Sequence, residues 1–348
     1  MNKSELVNHV REGWLPLPRS IVPPERPFFL WKELPEPVSS DMHLMEKLRS
    51  AMKRSLEGVD KVGVWASGGI DSSTALLLAA ETLGPENVTA IHLDFGYRLD
   101  ETDRAEKVAD HLDVDLKIEP VTLEDHFDLV GQTVFNQRSP SDFSTQTLLA
   151  ARICNRNRLG TAVSGLGIDE LLGGYPEHVH ASPQEFSRIE KQLLWRGQSF
   201  YAWIQKVQAL GAGVEVKFPF LDSALISYCR GLPRTAKCSG RETKLLLREE
   251  LKGLLPDENI EAGRIVGTKG GFTPSIAKWW EEGLGEWVEE RILEVPFSLK
   301  LKCLGSKRYL MCLLKRPVNY WLSLRLATVP IFLKQYEGGS YEEEPLWK

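Results

Sequence analysis

The stretch Lys61-Val62-Gly63-Val64-Trp65-Ala66-Ser67-Gly68-Gly69-Ile70-Asp71-Ser72-Ser73 decides the fold of this 348-residue chain. Val62 to Trp65 read as a buried strand, followed by a glycine turn and then a helix through Leu76, Leu77 and Leu78 whose first turn is polar. The consecutive glycines Gly68 and Gly69 let backbone amides approach a ligand with no Cβ in the way. The helix that follows aims its unpaired N–H groups and the positive end of its dipole at the same spot. Hydroxyls of Ser67, Ser72 and Ser73 add donors, and Asp71 can hold a magnesium ion against a bound anion. The stretch reads as a polyphosphate cradle. A glycine turn closed by a Ser/Asp helix cap is the plainer alternative, but strand, loop and helix occur in the order a phosphate loop requires.

A Walker A loop is excluded, because the G-x-x-x-x-G-K-[ST] spacing is absent and no lysine follows the glycines. Ser67-Gly68-Gly69-Ile70-Asp71-Ser72 after a strand resembles the pyrophosphate loop of the ATP pyrophosphatases. That resemblance implies a grip on the β- and γ-phosphates of ATP that leaves the α-phosphorus open to attack, giving AMP and pyrophosphate.

Composition narrows the class. A net charge of −5 offers no overall basic excess and weighs against a nucleic-acid partner. Five cysteines, Cys154, Cys229, Cys238, Cys303 and Cys312, show neither C-x-x-C spacing nor a paired framework, as expected of reduced thiols. Met1-Asn2-Lys3-Ser4-Glu5 leads into no apolar signal core, and no segment is apolar for long enough to span a bilayer, so a soluble cytoplasmic protein is expected.

Seven prolines between residues 16 and 37 predict an extended surface segment, taken as residues 1–40. From Asp41 the pattern turns helical, with Leu44, Leu48, Met52 and Leu56 in i, i+4 register. Strands are then expected at Val62–Trp65, Thr89–Leu93, Asp115–Glu119 and Thr161–Val163, with helices between them near Ser72–Leu83, Thr102–Leu112, Leu123–Val130 and Thr145–Asn157. Such α/β alternation predicts a doubly wound parallel sheet with ligands at the carboxyl ends of its strands. Residues 41–181 are assigned to this nucleotide-binding domain. Beyond about Ser182 helical stretches dominate, including Pro183–Leu194, Leu221–Arg230, Arg241–Leu251 and Ser275–Trp280, and residues 182–348 are read as a mainly helical C-terminal domain.

A second glycine-rich turn, Ser164-Gly165-Leu166-Gly167-Ile168-Asp169-Glu170-Leu171-Leu172-Gly173-Gly174-Tyr175, follows the fourth strand. In a parallel sheet it would share an edge with the first loop, so Asp71 and Asp169 could bind one magnesium ion; alone, Asp169 would read as a helix cap. The two loops, with Val214-Glu215-Val216-Lys217-Phe218-Pro219-Phe220-Leu221-Asp222, a K-x-x-L-R helix from Lys244 to Arg248, Leu255-Pro256 and Lys269-Gly270-Gly271-Phe272, resemble the synthetase domain of the glutamine-dependent asparagine synthetase family, whose relatives include β-lactam synthetase. The resemblance implies the ATP-pyrophosphatase type of fold, with nucleotide contacts at Ala66, Ser67, Gly68, Gly69, Asp71, Ser72, Leu93, Ser164 and Gly165, and magnesium on Asp71 and Asp169. Lys269 lies in a glycine-rich stretch that by itself reads as a mobile solvated loop. The family's lysine at that place is delivered by a lid, here near residues 263–272, and stabilises the transition state. Lys244 and Arg248 read equally well as structural ion-pair partners on a helix. Trp195, Trp203, Trp279 and Trp280 read as core, and His178 with His180 lack a third ligand for a metal.

Three departures from the family pattern qualify the reading. Position 2 is Asn2 where the family's glutaminase half has its nucleophilic cysteine, and only about 60 residues precede the loop, too few for that domain. The Pro-rich segment with Trp31 resembles the end of the family's interdomain region. Nitrogen would then come from free ammonia, a separate glutaminase subunit or an amine substrate. The family's glutamate in the second loop is Leu166, which can neither accept a proton nor orient an ammonium ion. Lys217 replaces an arginine, losing the bidentate fork. The expected activity is an AMP-forming carbon–nitrogen ligase that adenylates a small-molecule carboxylate, aspartate or another amino acid, and passes it to ammonia or an amine. A tRNA-modifying ATP pyrophosphatase and a catalytically silent nucleotide-binding module are the alternatives.

Overall fold

The computed structural model describes residues 33–38, 43–96, 99–141, 145–266, 276–295 and 320–338. The chain divides into two compact units that interleave along the sequence: Phe29–Pro120 with Ala150–Thr273, and Met1–Phe28 with Val121–Leu149 and Pro274–Lys348.

The first unit holds a parallel sheet of five strands, β1 (Val62–Trp65), β2 (Val88–Asp94), β3 (Asp115–Pro120), β4 (Thr161–Val163) and β5 (Glu215–Lys217), in the order β3-β2-β1-β4-β5. The chain runs outward from β1 to β3, then returns to lay β4 on the other side of β1. That reversal is the topological switch point, where a parallel sheet opens a crevice at its carboxyl edge. β1 is buried along its whole length, which is why it carries a continuous Val-Gly-Val-Trp run rather than an alternating pattern. Val62 and Val64 join the core built by α1 (Leu44–Ser55) and α2 (Ile70–Leu83). Gly63 faces the other way, where a Cβ would stand 2.8 Å from Sγ of Cys154 in the helix Thr145–Arg156. Both faces are therefore covered by helices, and the α/β doubly wound fold is as expected.

α2 is buried almost all round, from Ile70 to Ala80, because it lies between the sheet and α1. α1 is amphipathic and buries Leu44, Met45, Leu48, Ala51 and Met52. Its amino end is fastened by the Glu250 carboxylate, which accepts from the N–H groups of Leu44 and Met45 at 3.3 and 2.8 Å. α3 (Leu99–His111) packs against β2 and β3. Leu34–Val38 lies against the helix Ser223–Gly231, with Val38 N–H donating to Ser227 O at 3.1 Å. The other prolines of that segment lie outside the described residues.

Two local readings are corrected. β5 was not anticipated, because three residues with only Val216 buried leave almost no periodic signal. The helix expected over Arg241–Leu251 begins only at Leu245: Cys238–Ser239 and Glu242–Thr243 form a short antiparallel hairpin, and Lys244 adopts a left-handed backbone (φ 57°) that no helix interior tolerates.

The second unit is helical in its described residues, comprising Leu123–Gln137, Ile276–Trp279, Gly285–Glu294, Tyr320–Ala327 and Val329–Gly338. His126 lies among Phe127, Trp279 and Trp287, so Trp279 is core as read. Thr328 Oγ1 accepts from the N–H of Ser141 at 2.9 Å. No described helix is long and apolar enough to cross a membrane.

Leu76 sits fully buried between α1 and the sheet. Leu76→Ala should lower unfolding stability by about 2–5 kcal/mol, measured by urea titration followed by far-ultraviolet circular dichroism.

Candidate active site

β1 hands over to the first loop at Ala66, whose N–H donates to Ile91 O at 2.9 Å. The Ala66 carbonyl lies 2.8 Å from Nδ1 of buried His92, and Nε2 of that ring lies 3.0 Å from Thr102 Oγ1. A carbonyl only accepts, so Nδ1 carries the proton and Nε2 accepts from the threonine. Burial pushes the His92 pKa down, which keeps the ring in this neutral form. Within the loop, the Ser72 hydroxyl accepts from the Ser67 N–H at 3.0 Å, donates to Gly69 O at 3.1 Å and lies 3.1 Å from the Ser67 hydroxyl. Gly68 has φ +71°, and a Cβ there would meet Glu101 O at 2.6 Å and Ala105 N at 2.8 Å, so the site demands glycine on two counts. Asn259, fully buried, reaches in from the helix Asp257–Glu261: its Nδ2 lies 3.0 Å from Gly68 O, 2.9 Å from Arg104 O and 3.2 Å from Ser73 Oγ. The first-turn amides of α2 have no carbonyl partner within the helix.

The second loop leaves β4 beside the first. Ser164 N–H donates to Lys217 O at 3.1 Å, and its hydroxyl accepts from Leu166 N–H at 3.2 Å. A Cβ at Gly165 would lie 3.2 Å from the backbone of Asp71 and Ser72, so the two loops meet backbone to backbone. At Gly167, φ is +117° and a Cβ would stand 2.8 Å from Phe220 O. A Cβ at Gly174 would fall 1.8 Å from Asp169 Oδ1, so that glycine makes room for the carboxylate.

Asp71 and Asp169 converge on one atom. Nζ of Lys244 lies 2.6 Å from Oδ1 of Asp71 and 2.6 Å from Oδ1 of Asp169, with the lysine 1% and Asp71 9% exposed. The left-handed backbone of Lys244, pinned by its N–H to Leu172 O at 3.2 Å, directs the side chain inward. Arg248 is also buried and binds backbone carbonyls: Nε donates to Thr243 O at 2.8 Å and Nη1 to Ile260 O. Burial brings its pKa down to about 10, with Asp71 pulling the other way. Two hard carboxylate oxygens within hydrogen-bonding reach of a single cationic atom form a donor set that suits a divalent ion whose remaining ligands come from substrate and water. Among the described residues no group of three or more His, Cys, Asp or Glu side chains is placed to hold a metal by itself.

The structure thus brings together Ala66, Ser67, Gly68, Gly69, Asp71, Ser72, Ser164, Gly165 and Asp169 at one edge. Leu93 is buried near the carboxyl end of β2, opposite Glu119 of β3, and it is the preceding residue, His92, that touches the loop. Leu166 is half-buried in the second loop. Lys269 lies outside the described residues. Sequence reasoning missed His92 and Asn259, since a single polar residue inside an apolar strand or after a proline carries no pattern. It left Lys244 and Arg248 undecided; the first is an ion-pair partner at the site and the second a backbone tie.

With that geometry in place, comparison decides the family. The sequence model described as asparagine synthase matches residues 43–209 and 208–316. The chain belongs to the asparagine synthase family. Within it, an assigned glutamine-hydrolysing asparagine synthetase of Methanocaldococcus jannaschii is 26% identical over 220 residues, 57% of this chain and 37% of that protein. The glutamine-hydrolysing asparagine synthetase of Homo sapiens is 26% identical over 271 residues, 74% of this chain and 47% of that protein. This asparagine synthase family member therefore spans less than half the length of these two curated relatives. Among solved structures, the U34-tRNA thiolase NcsA from Methanococcus maripaludis aligns over 77% of this chain and 80% of its own, with 15% identity and a TM-score of 0.35.

Beside the second loop, His178 is fully buried, stacked on Tyr175 at 6.0 Å and tilted against Phe186 at 5.5 Å. Burial pushes its pKa down from 6.5 to about 4. The unfolded chain takes up this proton below pH 6.5 and the folded chain does not, so stability falls as pH drops from about 6.5 to about 4. His178→Asn should flatten that part of the profile by up to about 3 kcal/mol, read from urea midpoints at successive pH values.

Proposed function

We propose that the chain is an AMP- and pyrophosphate-forming carbon–nitrogen ligase. The observation that carries this reading is the meeting of a phosphate-type loop and a second acidic loop at the sheet's switch point, so that Asp71 and Asp169 face one cation position. Family membership supports the use of ATP. The polyphosphate would lie against the first-turn amides of α2 and the hydroxyls of Ser67 and Ser72, with the nucleotide bounded by Ala66, Leu93, Ser164 and Gly165. Magnesium would be held by Asp71 and Asp169, and when bound it would shield the charge of the polyphosphate.

In the first step a substrate carboxylate oxygen attacks the α-phosphorus. The new bond is carboxyl oxygen to phosphorus, and the bond to the bridging oxygen breaks as pyrophosphate leaves. An amine nitrogen then attacks the acyl carbon, the carbon–oxygen bond to AMP breaks, and the nitrogen sheds a proton. Lys269 is assigned to the charge that builds up in these steps. Leu166 is assigned to the acceptor side, where an apolar side chain favours an amine that needs no carboxylate to hold it. The carboxylate is aspartate or another amino acid, and nitrogen arrives as ammonia, from a separate glutaminase, or as an amine substrate. A cytoplasmic setting belongs to the same reading, and Cys154, Cys229 and Cys238 are buried free thiols.

The reading is tested by pyrophosphate–ATP exchange across a panel of amino acids, followed by mass spectrometry of the product formed with ammonia or amines. AMP and pyrophosphate are the expected products; ADP and phosphate would overturn the reading. Asp71→Asn should reduce exchange by about 100-fold or more. Lys269→Ala should slow turnover by a similar factor, about 100-fold, while nucleotide affinity changes by less than about threefold.

A further inference from the structure

Lys244 combines three properties that a structural lysine rarely combines. Its backbone is left-handed, a conformation that costs a non-glycine residue about 1–2 kcal/mol and that persists where the surroundings over-determine it. Its ammonium is fully buried. And that ammonium bridges two carboxylates from two different loops, at 2.6 Å each. Hydrogen bonds hold the segment on both sides: the Lys244 N–H goes to Leu172 O, and Arg248 Nε returns to Thr243 O at 2.8 Å. The backbone is therefore held, and any change at this position falls to the side chain.

The Lys244 ammonium stands directly on the two carboxylates, and the Arg248 guanidinium also feels the charge of Asp71. Arg264, which also faces Arg248, is taken up by Glu261 and Glu242. A bare divalent ion entering here must dislodge the ammonium from the two oxygens it needs, and leaves that buried positive charge without its partners. A divalent ion that arrives with a polyphosphate brings its own negative charge, and gives the dislodged ammonium an anion to pair with.

We propose that Lys244 is a resident counter-ion on the metal-binding carboxylates, a positioning residue that keeps Asp71 and Asp169 converged and makes divalent-ion binding conditional on the nucleotide. The inference rests on the ligase reading, through the assignment of those carboxylates to the metal. It predicts that the metal-free protein has a formed site and a low affinity for bare divalent ions. Replacing the lysine by a neutral side chain should therefore raise that affinity, the opposite of what loss of a merely structural ion pair would do.

The test is a Mn²⁺ titration of the full chain, followed by the electron paramagnetic resonance signal of free ion, with and without α,β-methylene-ATP. For wild type, weak Mn²⁺ binding alone and tight binding with the nucleotide analogue are expected. Lys244→Met should tighten nucleotide-free Mn²⁺ binding by about tenfold or more, and Lys244→Arg should stay close to wild type. Lys244→Gln, which keeps hydrogen-bonding capacity without charge, should behave as Lys244→Met and covers the case in which the methionine variant does not fold. Equal nucleotide-free Mn²⁺ affinity in wild type and the neutral variants overturns the inference and leaves the ligase reading standing, as does wild type binding Mn²⁺ alone as tightly as with the analogue. Mn²⁺ that binds no form of the protein, even with the analogue, overturns both.

Discussion

Gly63 and Val64 of β1 pair with Ala162 and Val163 of β4, and on this parallel contact the arrangement of the site depends. Strands that pair in parallel end on the same edge, so the loops leaving them must run side by side. β2, the next strand in sequence, occupies the opposite flank of β1, which leaves the crevice between the β1 and β4 loops open. Everything polar at the site is then a matter of how closely two loops can approach. Gly165 gives the closest allowed approach, with the backbone of Asp71 and Ser72 just beyond where a Cβ would be. A side chain at Gly165 would press on the backbone of Asp71 and Ser72, and so on the loop that carries the first carboxylate.

Bringing two carboxylates into a buried space is unfavourable unless each finds a partner, because desolvation of a buried charge costs several kcal/mol. The chain meets this cost with one lysine shared between Asp71 and Asp169 and one arginine tied to backbone carbonyls. The two cations do different work. Arg248 closes off carbonyl groups at the end of the hairpin and fixes the turn that Lys244 needs, while Lys244 supplies the charge. Asn259 does the equivalent on the other side without charge, joining the Gly68 carbonyl to α3 through Arg104 O. The phosphate-type loop is thus braced by three segments far apart in sequence, β2 through His92, the helix Asp257–Glu261 and the turn at Lys244.

The alternation of strand and helix was readable from apolar runs and glycine turns as far as β4, since β1, β2 and β4 are buried enough to carry apolar runs, while β3, an edge strand with no buried residue, was placed by the alternation around it. β5 and the hairpin before Lys244 were not, because two- and three-residue strands have no period and are held by pairing alone. The glycine-rich loops were readable as a pair, because serine, glycine and aspartate at those spacings suit one kind of chemistry. Which lysine faces the carboxylates was not. Lys244 sits in a stretch of good helix formers, and its conformation is set by the Leu172 carbonyl and by Arg248 rather than by its neighbours in sequence.

By itself the sequence determined the class of fold, the family and the two loops that carry the polar groups, since burial periodicity and glycine spacing are local properties of the chain. The tertiary structure decided the rest: that the loops touch, that their carboxylates share one cation, and that a left-handed lysine provides it. Those are relations between segments far apart in sequence, and only the strand order, which no local pattern encodes, brings them within reach of one another.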